Sequence, residues 1–154
     1  VEAELAEDMY ENLLCIGHYF VPGAEELLET LHGKYHLYIC SNGSKKVQDS
    51  RIASSGIAKY FAGIFISEEM GLNKPDKRYF EACFAQIPDF RRENSIMVGD
   101  SLTSDIKGAH NAGLRSVWFN PAHKAMTGDA APDYEIDALE KLPILLAELS
   151  EVSE

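Results

Sequence analysis

The sequence is poor in several features, and each shortage excludes a class of protein. It has only three cysteines, Cys15, Cys40 and Cys83, which are scattered in apolar surroundings. They predict buried thiols in a reducing compartment, not a disulfide framework or a zinc cluster, and the expected location is cytoplasmic. No apolar run approaches the 18 or more residues of a membrane span, and no signal-peptide pattern is present, so no membrane is expected as a partner.

Basic residues are also scarce. The chain has 14 Lys and Arg against 25 Asp and Glu, which gives a net charge of −11. Nucleic acids and anionic membranes bind clustered basic side chains, so neither is an expected partner. A phosphate ester would also be repelled by such a chain, unless specific cations and amide groups line its binding site.

Several sequence motifs are absent as well. There is no GxxxxGK, no GxGxxG and no DxD anywhere in the chain, so neither a P-loop nor a dinucleotide site is predicted. The five histidines show no spacing typical of metal ligands, which favours core or surface roles. They are His18, His32, His36, His110 and His123.

The 154 residues suffice for one domain with a substantial core, and 45% of them are hydrophobic. Short apolar strands alternate with amphipathic helices, a pattern typical of a parallel sheet covered on both faces. The predicted fold is a three-layer α/β, Rossmann-like domain. Strands are expected at 35–40, 61–66, 95–99, 115–119 and 134–136. Helices are expected at 24–32, 45–55, 106–112 and 139–149, with one more beginning at Pro75 and an acidic surface helix within 1–20.

The first candidate site lies in the stretch Ile96 to Asp105. A buried strand ends in Gly99, and two carboxylates, Asp100 and Asp105, flank a hydroxyl-rich turn. Mg²⁺ prefers oxygen ligands and is often held by one or two carboxylates together with phosphate oxygens. Taken alone, the pattern is equally typical of a turn and the first turn of a helix, where negative charge is favoured.

Two further candidates follow the preceding strands. Ser41, Asn42 and Gly43 lead into a helix, so that a hydroxyl and free amide groups could bind an anion. Lys74 precedes Pro75 and could neutralise a phosphoryl group. Ligands of open α/β sheets bind at the carboxyl ends of the strands, so all three candidates are expected to face one crevice.

The order of these motifs resembles the haloacid dehalogenase-like superfamily of phosphohydrolases over roughly 21–121. The carrying segments are SNG, then the lysine of GLNKPD, then VGDSLTSD. GDSLTSDIKGAHNAG followed by SVWFNP is similar to the noncanonical pyrimidine nucleotidases, which are 5′-nucleotidases. The resemblance implies a small phosphorylated substrate, an Mg²⁺ cofactor and an aspartyl-phosphate intermediate formed by an attacking aspartate.

The resemblance also implies a role for each site residue. Ser41 would hydrogen-bond the transferring phosphoryl group, helped by the backbone of Asn42 and Gly43. Lys74 would stabilise the negative charge, Asp100 would bind Mg²⁺, and Asp105 would support the metal or its waters. The implied catalytic residues are therefore Ser41, Lys74 and Asp100.

The chain departs from the family pattern at the first motif. The family has a DxDxT at the end of a central first strand, and nothing before Ser41 matches it. We therefore expect residues 1–20 to be the remnant of a helical cap domain and residues 21–154 to be the core, without the nucleophile and the first strand. Such a chain would be an incomplete version of a longer enzyme, or would be rearranged by closing the gap or by exchanging an element with a second copy as a homodimer.

Two functions follow. One is an Mg²⁺-dependent phosphomonoesterase acting on a small ester such as a nucleoside 5′-monophosphate, with this chain alone inactive. The other is a non-catalytic anion-binding or interaction module that keeps the fold. A response-regulator receiver is a poorer match because its acidic residues come first. A dehalogenase of the same superfamily stays an open alternative, although it would have no use for a pair of metal-binding carboxylates.

Overall fold

The structure, a computed structural model, describes residues 21–151. The helix and cap remnant predicted within 1–20 lie outside them. Five strands are present: β1 (Leu37–Ser41), β2 (Phe61–Ile66), β3 (Ile96–Gly99), β4 (Arg115–Phe119) and β5 (Tyr134–Ile136). The α-helices are α1 (Ala24–Leu31), α2 (Lys45–Ser55), α3 (Ser67–Met70), α4 (Lys77–Phe84), α5 (Lys107–Ala112) and α6 (Leu142–Glu151). None of these helices is long and apolar enough to cross a membrane.

The strands form two parallel sheets. β1 pairs with β2, and β3, β4 and β5 pair in that order, so that β5 is an edge strand as predicted. Within residues 21–151, β1 and β3 are not hydrogen-bonded to each other. Direct pairing of these two strands would close the gap left by the absent first strand, and it is one of the rearrangements expected from the sequence. This part of the chain does not show that rearrangement.

Apolar clusters cover both faces of the strands and extend across the two sheets. On one face, Tyr79, Phe80 and Cys83 of α4 pack with side chains from both β1 and β3, among them Tyr38, Cys40 and Met97. On the other face, Leu31 and Leu142 pack with a second set, which includes Leu37, Ile96 and Val98. Helices thus lie on both faces, which confirms the predicted three-layer α/β architecture.

The structure differs from the sequence-based expectation in the two segments that follow β2 and β3. Pro75 is not the first residue of a helix: it follows a cis peptide bond, Asp76 is the N-cap, and α4 begins at Lys77. After β3 the chain first forms a π-helical turn, Leu102–Ile106, before α5 begins. The Asp76 side chain decides where α4 begins, and i→i−5 backbone hydrogen bonds of Ile106 and Lys107 form the turn before α5. A periodicity pattern shows neither.

Asp76 should stabilise α4 as its N-cap. Its Oδ1 accepts the backbone N–H of Arg78 at 2.8 Å, which satisfies a donor that has no partner within the helix. We expect Asp76→Ala to lower the free energy of unfolding by about 1 kcal/mol, measured by urea denaturation at pH 7. Arg78→Ala is the control: it keeps the cap and removes only an exposed ion pair, so a loss as large as that of Asp76→Ala would contradict the capping role.

The same cap predicts a pH dependence. Hydrogen bonds from the Arg78 side chain, and then from its backbone N–H, hold the pKa of Asp76 below its usual value. The unfolded chain therefore takes up the proton first as the pH falls, so the contribution is complete above the ordinary aspartate pKa and is lost below it. The stability difference between the wild type and Asp76→Ala should shrink as the pH falls through the folded-state pKa.

Candidate functional site

The residues singled out by the sequence meet at the carboxyl edge of the strands. Ser41 is the last residue of β1, Lys74 lies between α3 and α4, and Asp100 directly follows β3. The Lys74 Nζ donates to Asp105 Oδ1 at 2.6 Å and to the Cys40 carbonyl at 2.7 Å. Lys74 therefore joins the end of β1 to the segment after β3, and its side chain connects the two sheets.

Lys74 and Asp105 form a buried ion pair. Their exposed fractions are only 8% and 6%. Asp105 Oδ1 receives the Lys74 ammonium, while Oδ2 accepts the backbone N–H of Ser101 at 3.2 Å. Each carboxylate oxygen accepts one hydrogen bond, so in this arrangement Asp105 holds Lys74 in place.

The π-helical turn brings the Asp105 carboxylate against the backbone of Gly99. A Cβ atom built at position 99 would lie 2.3 Å from Asp105 Oδ2 and 2.4 Å from its Cγ. Any side chain at this position would overlap the carboxylate. Glycine at the end of β3 is therefore required by the close approach of Asp105.

Asp100 is exposed, unlike Asp105. Its backbone carbonyl accepts a hydrogen bond from Trp118 Nε1 at 3.0 Å, across the neighbouring strand β4. The Trp118 side chain is buried, which fixes the start of the loop after β3. The Asp100 carboxylate is thus held at the strand edge while remaining open to solvent.

Ser41, Asn42 and Gly43 occupy the loop between β1 and α2. The Ser41 hydroxyl makes no hydrogen bond to any residue within 21–151. The side chain of Asn42 is bound to Lys74: its Nδ2 donates to the Lys74 carbonyl at 2.7 Å, and its Oδ1 accepts the Lys74 N–H at 2.8 Å. Both the oxygen and the nitrogen of this amide are thus held by the Lys74 backbone.

The helix after this loop is not a vacant anion cradle of the kind expected. Its N-cap is Ser44, whose hydroxyl accepts the N–H of Val47, and Glu68 of α3 accepts the N–H of Lys45. Protein oxygens thus already bind first-turn amide groups of α2. Of the donors expected to bind an anion here, the Ser41 hydroxyl and the backbone N–H groups of Asn42 and Gly43 stay as candidates.

The thiols beneath this edge are arranged as a small cluster. A hydrogen bond from Cys83 lowers the pKa of the Cys40 thiol, while the interaction with Cys40, followed by burial, raises the pKa of Cys83. Burial likewise raises the pKa of the Tyr79 hydroxyl, which donates to the Phe65 carbonyl at 2.7 Å. Cys83 and Tyr79 therefore stay neutral around pH 7 and add no charge beside Lys74.

The donor set fits a magnesium ion only as a partial site. Among residues 21–151 there is no group of three or more His, Cys, Asp or Glu side chains that could hold a metal. Asp100 nevertheless offers an exposed carboxylate of the kind Mg²⁺ uses, since this ion is commonly bound by one or two carboxylates, waters and substrate phosphate oxygens. The residues present therefore fit Mg²⁺ through Asp100, with Asp105 as a neighbour engaged by Lys74.

Residues 3–119 match the sequence model of haloacid dehalogenase-like hydrolases. The chain belongs to this family. It is 41% identical over 141 residues to the HAD-hydrolase YfnB of Bacillus subtilis, which covers 92% of this chain and 60% of YfnB. A crystal structure of YfnB bound to magnesium superposes with a TM-score of 0.90 at 42% identity, covering 92% of this chain and 62% of that one.

Two relatives in this family are pyrimidine 5′-nucleotidases. PynA of Streptococcus pneumoniae is 41% identical over 121 residues, covering 78% of this chain and 51% of PynA. YjjG of Escherichia coli is 36% identical over 126 residues, covering 82% of this chain and 56% of YjjG. The chain thus spans about half to three fifths of the length of these relatives, and the similarity to the nucleotidase branch is confirmed.

Sequence reasoning about this HAD-type site missed three contributors. They are the Asn42 side chain, which binds the Lys74 backbone; Gly99, against which the Asp105 carboxylate packs; and Trp118, which donates to the Asp100 carbonyl. Two sequence signals could have pointed to them. A glycine directly before a strand-end aspartate indicates close approach, and the single tryptophan of the chain lies on the next strand.

A cavity of about 350 Å³ lies away from this site, at the amino ends of β1 and β2. His32, His36, Lys34, Lys59 and Tyr60 are among its lining residues. Since parallel strands of an α/β sheet bind ligands at their carboxyl ends, this cavity does not extend the HAD-type site.

Proposed function

We propose that the chain is the core of a Mg²⁺-dependent phosphomonoesterase that hydrolyses a small phosphate ester, such as a nucleoside 5′-monophosphate. The observation that carries this proposal is the position of Lys74, which connects the end of β1 to Asp105 beyond β3. A hydroxyl, a cation and an exposed carboxylate are thereby gathered at one edge of the domain. That combination suits a phosphoryl group, whose transfer depends largely on positioning and on charge neutralisation.

Each residue then has a physical task. The Ser41 hydroxyl donates a hydrogen bond to a phosphoryl oxygen, and the N–H groups of Asn42 and Gly43 add two more donors. The Lys74 ammonium lowers the cost of negative charge on the transferring group. Its pairing with Asp105 keeps it at the strand edge, so little reorganisation is needed when the substrate binds.

Asp100 is the residue that would hold Mg²⁺, with Asp105 next to it. Magnesium in such a site supplies charge neutralisation on the phosphoryl oxygens and orients the ester. The Asp100 backbone is held by Trp118, so the carboxylate needs only side-chain rotation to meet a ligand.

The nucleophile belongs to the proposal as well. In the mechanism, an aspartate attacks phosphorus, the P–O bond to the leaving alcohol breaks as that oxygen takes a proton, and water then hydrolyses the aspartyl-phosphate. The chain contains no DxD, and Asp100 and Asp105 are engaged in the tasks above. We therefore propose that the attacking aspartate lies on a strand outside the 154 residues, and that the chain alone does not turn over.

A non-catalytic anion-binding or interaction module is the alternative. The test compares the 154-residue chain with the product of the reading frame extended upstream of Val1, using p-nitrophenyl phosphate and nucleoside 5′-monophosphates with Mg²⁺. We expect turnover only by the extended product, and its loss on adding EDTA. Turnover by the shorter chain would contradict the absence of the nucleophile, and no turnover of any ester by either protein would favour the module.

Metal binding can be tested on the 154-residue chain without turnover. Trp118 is the only tryptophan and hydrogen-bonds to Asp100, so its fluorescence should change on titration with Mg²⁺ in the presence of inorganic phosphate. We expect Asp100→Asn to weaken the apparent Mg²⁺ affinity by about tenfold or more, which corresponds to about 1.4 kcal/mol. Asp89→Asn, an exposed aspartate on the connection after α4, is the control and should titrate like the wild type. Equal affinities for all three proteins would exclude Asp100 as a ligand.

A further inference from the structure

The loop after β1 and the segment that carries Lys74 are tied together by one side chain. Asn42 Nδ2 donates to the Lys74 carbonyl at 2.7 Å, and Asn42 Oδ1 accepts the Lys74 N–H at 2.8 Å. The two residues are 32 positions apart in the chain. One side-chain amide thus accepts the backbone N–H of Lys74 and donates to its backbone carbonyl.

This contact lies where regular structure cannot fix the backbone. Lys74 is between the end of α3 and the start of α4, outside any strand or helix. Its side chain nevertheless must reach two fixed acceptors, Asp105 Oδ1 and the Cys40 carbonyl. The position of the ammonium therefore depends on what holds the Lys74 main chain.

We propose that Asn42 is a positioning residue for Lys74: its side chain aligns the Lys74 backbone so that the ammonium is held at Asp105, and it does not contact the substrate. The resemblance to the family assigned Asn42 to phosphoryl binding through its backbone. The geometry adds a second and separate task for the side chain. The inference rests on the proposed function only for the purpose of Lys74, which is to stabilise the charge of a phosphoryl group; the positioning of Lys74 by Asn42 is a separate claim.

The inference can be tested by the chemical accessibility of Lys74. In the wild type the ammonium is buried and bound by two acceptors, so acylation by acetic anhydride should be slow relative to the exposed lysines. Asn42→Ala removes both hydrogen bonds to Lys74. We expect the acylation rate of Lys74, measured by mass spectrometry of its peptide, to rise about tenfold, as expected for the loss of about 1.4 kcal/mol of local stability.

Two further variants make the result specific. Asn42→Asp has nearly the same volume and keeps the acceptor for the Lys74 N–H, but it places a carboxylate oxygen against the Lys74 carbonyl. It should therefore also raise the acylation rate of Lys74 selectively. If Asn42→Ala does not fold, Asn42→Asp is the variant that decides the question. Asn111→Ala is the matched control, because Asn111 Nδ2 donates to the carbonyl of the adjacent Pro75 at 3.0 Å. It should leave Lys74 acylation within about twofold of the wild type, since a single exposed hydrogen bond contributes little.

The Cys83 thiol, buried in the same domain, reports general opening. A rise in Lys74 acylation with unchanged Cys83 alkylation supports the positioning role. A parallel rise at both residues would overturn it, because Asn42 would then act only through overall stability, and wild-type rates in both Asn42 variants would overturn it as well. No turnover is measured, so a failed phosphatase assay and a failed positioning role are distinguished.

Discussion

Lys74→Met is expected to lower the free energy of unfolding by about 3–5 kcal/mol, the largest effect of any single substitution considered for this chain. The methionine keeps most of the apolar stem but leaves the Asp105 carboxylate buried without its cation. It also leaves the Cys40 carbonyl without its donor. Urea denaturation followed by Trp118 fluorescence at pH 7 would measure the loss, with far-UV circular dichroism as a second probe of two-state behaviour.

Two further variants test whether the loss comes from leaving a buried charge unpaired and not from breaking any ion pair. Lys45→Met breaks two exposed pairs, with Asp49 and with Glu69, and should cost no more than about 1 kcal/mol because both are solvated. Lys74→Met combined with Asp105→Asn removes both buried charges while keeping an acceptor for the Ser101 N–H, and should recover about half of the loss or more. A Lys74→Met effect no larger than that of Lys45→Met would contradict a buried, energetically important pair.

Gly99→Ala is the second substitution with a large expected effect. The added methyl group would lie within 2.3–2.5 Å of three Asp105 atoms, so either the carboxylate or the end of β3 must move. We expect a loss of about 1–3 kcal/mol in the free energy of unfolding, together with faster acylation of Lys74, because displacing Asp105 disturbs the ion pair. Urea denaturation and peptide mass spectrometry measure the two effects on the same protein.

Gly43→Ala serves as the control for adding a methyl group at a glycine. The three atoms nearest to its Cβ all belong to the side chain of Gln48, which can rotate away, so the stability change should stay within about 0.5 kcal/mol. If Gly99→Ala were equally mild, the close approach of the Asp105 carboxylate to β3 would be refuted.

Much of the fold followed from local patterns. The strands Phe61–Ile66, Arg115–Phe119 and Tyr134–Ile136 and the helix Lys45–Ser55 have the predicted bounds, because apolar alternation with helical runs and glycine-terminated helices are properties of neighbouring residues. The errors lie where individual hydrogen bonds, which a hydrophobic pattern does not show, decide the backbone. The start of α4 depends on the Asp76 cap, and the turn after Asp100 depends on i→i−5 hydrogen bonds to Ser101 and Leu102.

The candidate site was likewise predicted in outline. Strand order along the chain and the rule that parallel strands bind ligands at their carboxyl ends sufficed to expect Ser41, Lys74 and Asp100 at one edge, and the structure places them there. The pairing of Lys74 with Asp105 could not be predicted, because 31 positions separate the two residues and either carboxylate could have been the partner. The roles of Ser41, Asp100 and Mg²⁺ in a reaction stay proposals.

The sequence by itself determined the parallel α/β class, the resemblance to HAD-type hydrolases and the choice of candidate site residues, since these depend on local periodicity and on short motifs. Only the tertiary structure decided which carboxylate is free. Asp105 is buried against Gly99 and bound by Lys74, whereas Asp100 stays exposed beside Trp118. The two aspartates lie five positions apart in one motif, and burial and hydrogen bonding, which no motif encodes, give their carboxylates different environments.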